Sequence, residues 1–188
     1  MTGSPERPAP SSAPRDKLIA AAGELIAEIG WGSVSTRRVA ERAGLNPGLV
    51  HYHFAGIDEL RRVAAIRGVR EFFQGPIEEA LGHAEPSVAI AALLDALSPA
   101  EPRDSRLLLL YESLVAASRD DTLRAEIAAP LAELRQLLAA WLTDRAVTDP
   151  DATAVTMTAA IDGYLLQRSL DPTLEPGPLI TGLSKLLR

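Results

Sequence analysis

The chain has 188 residues, a hydrophobic fraction of 47%, no cysteine and a formal net charge of −6. The absence of cysteine excludes disulfides and thiolate metal sites and fits a reducing compartment, and the length suffices for one sizeable core or for a small and a larger domain. Met1–Pro14 has no apolar signal-peptide core and no apolar run is long enough to span a bilayer, so a soluble cytoplasmic protein without a membrane partner is expected.

In chain order, Met1–Pro14 carries Pro5, Pro8, Pro10 and Pro14 and little to bury, and reads as a disordered tail. From Arg15 the period becomes helical, with Leu18, Ala22, Leu25, Ile26 and Ile29 on one stripe. Gly30-Trp31-Gly32 ends that helix, and Trp31 is expected to plug the gap beside the next two.

The segment from Ser35 to Phe54 is the richest in information. Ser35 can cap a short helix whose Val39 and Ala43 face inward, and Gly44 stands where the chain must turn left-handed to stop it. Asn46 caps the next helix and Pro47 falls on its first turn, where a missing N–H costs nothing. Val50 and Phe54 share the inward face of that second helix, which leaves Gly48, Leu49 and Tyr52 opposite, flanked by His51 and His53. Such an outward surface has no core to serve and suits a major groove. Gly48 allows close approach, Leu49 can touch a thymine methyl, and Tyr52 can stack on or hydrogen-bond to a base or phosphate. Ser35, Thr36, Arg37, Arg38, Asn46, Pro47, His51 and His53 complete the expected DNA-contacting set, most of them on the backbone. The plain alternative is a helical pair that serves only as scaffold.

Beyond it, a longer helix should start near Ile57 and run through Leu60, Val63, Ala64, Ile66 and Val69 toward Phe72-Phe73, kinked or divided at Gly75-Pro76. Further helices are expected over Ser87–Leu97, Asp104–Ser118, Thr122–Ala129, Pro130–Arg145, Asp151–Arg168 and Pro178–Arg188, with no strand and no repeat. Two of them carry stripes suited to self-association across a twofold axis. The first stripe is Leu131, Leu134, Leu138 and Leu142 with Trp141 beside it, and the second is Ala152, Val155, Ala159, Gly163 and Leu166. Intrachain core explains any single member equally well. Phe72, Phe73, Tyr111, Glu112, Trp141, Tyr164 and Gln167 offer the aromatic walls and few polar groups of a small-molecule cavity.

Charge follows the same division. Residues 1–70 hold 10 Lys and Arg against 7 Asp and Glu, whereas residues 71–188 hold 9 against 18. An acidic body repels phosphate and leaves the N-terminal face as the docking surface. The histidines at 51, 53 and 83 make no metal or acid/base constellation, since His51 and His53 diverge on a helix, and no HExxH, phosphate loop or paired catalytic carboxylates occur. Neither enzymatic activity, nor a cofactor, nor a metal is expected.

The helix at Leu18–Ile29, the Ser35–Phe54 unit and the following Gly56-Ile57-Asp58-Glu59-Leu60 together resemble the TetR family of transcriptional regulators. The match rests on Ser35, Val39-Ala40-Glu41-Arg42-Ala43-Gly44-Leu45 and His51-Tyr52-His53-Phe54, and more weakly on Ala160–Leu165, which looks like the family's last interface helix. The resemblance implies an all-α fold: a three-helix DNA-binding bundle with its helix-turn-helix, then a larger helical domain for ligand binding and dimerisation. The expected boundaries are 1–14, 15–60 and 61–188. The implied function is that of a ligand-responsive repressor, acting as a homodimer on a pseudo-palindromic double-stranded operator and released by a small-molecule effector. The alternative is a helical small-molecule or partner-binding protein that does not read DNA. His51 stands where the family usually has a phosphate-binding Tyr, and Ile57 where it usually has a Lys. With that Lys gone, the N–H groups at the start of the Ile57 helix, with Arg61 or Arg62, are the expected substitutes for phosphate contact.

Overall fold

A computed structural model describes residues 12–98 and 103–187, and among them every regular element is helical. The helices are α1 (Ser12–Ile29), α2 (Thr36–Ala43), α3 (Gly48–His53), α4 (Ile57–Leu81), α5 (Pro86–Leu97), α6 (Ser105–Ala117), α7 (Asp121–Thr143), α8 (Pro150–Leu170) and α9 (Gly177–Lys185). The chain separates into two compact units, one ending at Ala64 and the other beginning at Ala65, and α4 has residues in both.

In the first unit, Leu18, Ala22, Leu25 and Ile26 of α1 are buried together with Val34, Val39, Val50, Phe54 and Leu60. Ile29, expected on the same stripe, lies instead on the exposed end of α1, because Gly30 turns the chain away with a φ of 79°. Trp31 opens a single 3-10 turn, Trp31–Ser33, and is half-buried. Of the expected tail Met1–Pro14, Ser12, Ala13 and Pro14 belong instead to α1, since proline in a first helical turn forfeits no hydrogen bond. The rest of that tail lies outside the described residues.

The second unit corrects two expected breaks. α4 runs through Pro76 and α7 through Pro130 without division. A proline interior to a helix removes one donor and crowds the preceding turn. Here packing outweighs that penalty: Phe72, Phe73, Ile77 and Ala80 are buried along α4, and Ile127, Pro130, Leu134 and Leu138 along α7. Asp120 caps α7 by accepting the Thr122 and Leu123 N–H groups at 2.9 and 3.0 Å. The α4–α5 connection is fastened to α7 by two backbone contacts: Trp141 Nε1 donates to the Leu81 carbonyl at 3.0 Å, and Arg145 donates to the His83 carbonyl at 3.1 Å. The Arg145 guanidinium also lies 3.8 Å from the centroid of the Trp141 ring, a stacking geometry that holds both side chains. A Cβ at Gly68 would overlap the Leu109 side chain, so this glycine sets how closely α6 approaches α4.

On α8, Ala154, Met157, Ile161, Tyr164 and Leu165 face inward while Val155 and Leu166 are 56% and 50% exposed. Its hydroxyls turn back on their own helix: Thr156 donates to Ala152, Thr158 to Ala154 and Ser169 to Leu166.

Gly44, with φ 65° and ψ 33°, joins α2 to α3 through a left-handed backbone that sets their angle, and no atom lies within 4 Å of a Cβ placed there. Gly44→Ala is therefore expected to lower stability by about 1–2 kcal/mol through backbone strain alone. Gly56, which also has open space but no positive φ, should accept Ala with no comparable loss when both variants are titrated with urea.

Candidate nucleic-acid interface

The turn between α2 and α3 is built by backbone hydrogen bonds. Ser35 Oγ accepts the Arg38 N–H at 3.4 Å to open α2. At the other end Gly44 N–H donates to Glu41 and Leu45 N–H to Ala40, at 3.1 and 2.9 Å, the paired closure that a left-handed residue permits. Asn46 Oδ1 then accepts the Gly48 N–H at 2.8 Å and Pro47 holds αR angles, so only four residues separate α3 from the end of α2.

α3 has six residues, too few to be stable alone, and is fixed from behind. Val50 is fully buried and Phe54 nearly so, and the Arg15 guanidinium of α1 lies 5.2 Å from the Phe54 ring centroid. The opposite side stays open: Tyr52 is 62% exposed, with its ring edge-on to His53 at 4.9 Å. Asn46, Pro47, Gly48 and His51 are exposed, and Leu49 and His53 are half-buried. A Cβ at Gly48 would come within 3.3 Å of Asn46 Oδ1, so glycine here protects the cap as well as keeping the outer face low.

On α2, Ser35, Arg37 and Arg38 are exposed and Thr36 is half-buried. Arg38 donates to the Ser33 carbonyl at 3.0 Å, which orients its guanidinium. Arg42 is turned to another task. It bridges Glu28 at 2.6 Å and Glu24 at 3.2 Å on α1 and locks α2 to that helix. Its hydrogen bonds hold the Glu28 carboxyl below the ordinary value, and the two carboxylates push the guanidinium up.

At the start of α4, acidic side chains stand where phosphate contacts were expected. Asp58 and Glu59 occupy its first turn, and Glu59 accepts the Ala55 N–H at 2.5 Å, filling a donor an anion would use. Both acids suit the positive end of the helix dipole and repel a phosphate. Arg61 is spent inside the fold: its side chain is 14% exposed, it pairs with Asp58 at 3.0 Å, and it donates to the Val34 carbonyl. The Val34 carbonyl and the Asp58 carboxylate claim this arginine, a role that residue type and spacing did not reveal.

Two clefts open in the second unit, of about 430 and 410 Å³ counting the space continuous with solvent. Phe73 lines both and Tyr111 lines the second, so these two of the expected ligand-facing residues do border a cavity. Phe72 is buried against Phe73, 4.8 Å between ring centroids, with Arg106 over its other side. Trp141 is occupied by its bond to Leu81, and Tyr164 is buried with its hydroxyl donating to the Leu174 carbonyl at 3.4 Å. Glu112 is half-buried and Gln167 exposed, and neither borders the two clefts. Asp162, which the sequence reading did not single out, lines both. Its signal was an acid at the boundary of the apolar and exposed faces of α8.

Of the first expected self-association stripe, Leu134, Leu138, Trp141 and Leu142 are buried in this chain's own core, and Leu131 is half-buried beside the second cleft. Of the second, Ala152, Val155, Ala159 and Leu166 are exposed and Gly163 is half-buried.

A capped pair of short helices, joined by a left-handed glycine and presenting the outer side of the second, defines a helix-turn-helix DNA-binding regulator. Comparison with known proteins agrees. Residues 18–64 match the bacterial regulatory proteins of the tetR family, and residues 81–188 match the tetracyclin repressor-like C-terminal domain. The chain belongs to the TetR family of transcriptional regulators. Among solved structures, a protein of Streptomyces coelicolor A3(2) assigned as a transcriptional regulator is 31% identical over 93% of this chain and 98% of its own, with a TM-score of 0.77. A transcriptional regulator of Rhodococcus sp. Rha1 is 27% identical, covering 92% of each chain at a TM-score of 0.76. The multidrug binding protein EbrR, complexed with imidazole, is 29% identical over 99% of this chain and 98% of its own, with a TM-score of 0.73. No curated protein matches the chain.

The Arg42 bridge gives a pH prediction. Because the folded Glu28 value lies below that of an unperturbed glutamate, its stabilisation is present above the unperturbed value and is lost as the pH falls through the lowered folded value. Arg42→Met should therefore speed amide exchange in α2 at neutral pH, and the difference from the parent should close under acid. Both side chains are solvent-exposed, so added salt should shrink the effect.

Proposed function

We propose that this regulator acts as a ligand-responsive homodimeric repressor whose α3 enters the major groove of each half of a pseudo-palindromic operator. The observation that carries the reading is the exposed Tyr52 on a helix whose rear residue, Val50, is fully buried. Tyr52, Leu49 and Gly48 form the base-facing side, and Ser35, Thr36, Arg37, Arg38, Asn46, Pro47, His51 and His53 flank it for phosphate contact. The DNA-reading domain spans residues 15–60, and residues 61–188 take the effector and the second copy. Two α3 helices about 34–36 Å apart would meet successive major grooves.

The dimer contact is assigned to the exposed apolar side of α8, namely Val155, Ala159, Gly163 and Leu166, with Ala152 at its end. The buried leucines of α7 support this face from within. Effector binding in the second unit is supported by its two apolar clefts and by the imidazole complex of EbrR. A ligand that prefers a conformer with a different α3 spacing lowers DNA affinity by the factor by which DNA lowers its own affinity. No helix among the described residues is long and apolar enough to cross a membrane, which accords with a cytoplasmic site of action.

Footprinting on duplex from upstream of the gene tests the reading helix. Tyr52→Ala should keep its fold and oligomeric state yet lose about tenfold or more in operator affinity, the scale of one good base contact. Equal protection by the parent and this variant would exclude α3 as the reading element. In sedimentation experiments, Val155→Asp with Leu166→Asp should convert a dimer to a folded monomer. A dimer that persists would place the contact elsewhere.

A further inference from the structure

The two clefts share a wall, and among the described residues lining them Asp162 alone carries a charge. Phe73 and Leu134 represent the rest of the first cleft, and Leu110, Leu131 and Leu165 that of the second. Thr158, a polar residue of the first cleft, already donates its hydroxyl proton to the Ala154 carbonyl at 3.0 Å. Asp162 is open to solvent on its outer side, but the apolar surroundings push its carboxyl up from the ordinary aspartate value, with Arg135 acting in the opposite sense without closing an ion pair.

A second polar group stands beside it unused. The Tyr111 hydroxyl oxygen is buried and meets no hydrogen-bond partner, and the nearby Ser169 hydroxyl donates to Leu166 at 2.7 Å. Burial pushes the Tyr111 hydroxyl up, the neighbouring Ser169 hydroxyl opposes that, and the Asp162 charge adds to the rise, so the carboxylate and the phenol feel one another across the second cleft. An orphaned buried oxygen is destabilising unless something fills its hydrogen-bonding capacity.

From the lone carboxylate, the orphaned tyrosine hydroxyl and the apolar walls around them, we infer that the effector is a lipophilic amine bound as its ammonium form. Its N–H groups would donate to Asp162 and to the Tyr111 oxygen, and its hydrocarbon part would lie against Phe73 and the leucines. A carboxylate ligand would bring like charge to Asp162, and a neutral chain would leave both polar groups unmatched. The apolar α8 side next to Asp162 is the one assigned to the second copy, so dimerisation would remove water from the outer side of the same carboxylate and strengthen its hold on a cation. This inference rests on the ligand-responsive reading above.

The test uses three probes of equal chain length, octylammonium, octan-1-ol and octanoate, titrated calorimetrically into the full-length protein. Octylammonium should bind about tenfold or more tightly than either of the others, the scale of one charge-assisted hydrogen bond. Asp162→Asn should remove that preference, and Tyr111→Phe should weaken octylammonium about threefold or more. Octanoate or octan-1-ol binding as tightly as the amine would overturn the inference, as would an unchanged preference in Asp162→Asn. If that variant instead dissociates the dimer with amine binding intact, the carboxylate serves the subunit contact and the inference fails. Operator release, measured alongside, separates the two readings. Amine binding without release upholds the ligand class and refutes the response, whereas release by the anion alone does the reverse.

Discussion

A six-residue helix has no stability of its own in water, and the function of this protein depends on holding one in a fixed attitude. Val50 and Phe54 anchor α3 from behind, the left-handed Gly44 sets where it starts, and Asn46 closes its first turn. Arg15 over the Phe54 ring and Arg42 between Glu24 and Glu28 tie α1 to the other two helices. Val50 and Phe54 are buried on the side away from the exposed Tyr52. The outer residues are therefore free to be chosen for DNA, and the inner ones are not.

The arginines of the first unit illustrate how identical side chains divide by environment. Arg61 is taken up by Val34 and Asp58, and Arg42 by two glutamates, so both serve the fold. Arg37 and Arg38 remain exposed on α2, and Arg38 is steadied by the Ser33 carbonyl. A basic count over residues 1–70 thus overstates the cations open to phosphate. The first turn of α4, with Asp58 and Glu59, lowers the local potential further.

Much of this was readable from residue order. Ser35, Gly44, Asn46 and Pro47 punctuate α2 and α3 through local chemistry, and local chemistry survives translation from sequence to structure. The uninterrupted α4 and α7 were not readable, because the factor overriding Pro76 and Pro130 is tertiary packing by Phe72, Phe73, Leu134 and Leu138. Trp141 shows the same limit. Its ring suggested a cavity wall, but its N–H is bound to a carbonyl 60 positions earlier in the chain, and no periodicity anticipates that bond. Asp162 was unreadable for a related reason: nothing in the residue order of one helix shows that neighbouring helices set apolar walls beside its carboxylate.

The self-directed hydroxyls of α8 have a thermodynamic corollary. Thr156, Thr158 and Ser169 keep their protons on their own helix, so covering this region strips little firmly held hydration. Pairing through such a face draws on apolar contact and responds weakly to ionic strength, whereas grip on a polyanion slackens steeply as salt rises. In the proposed dimer, ionic strength would then be a dial that moves occupancy of the operator while leaving the subunits together.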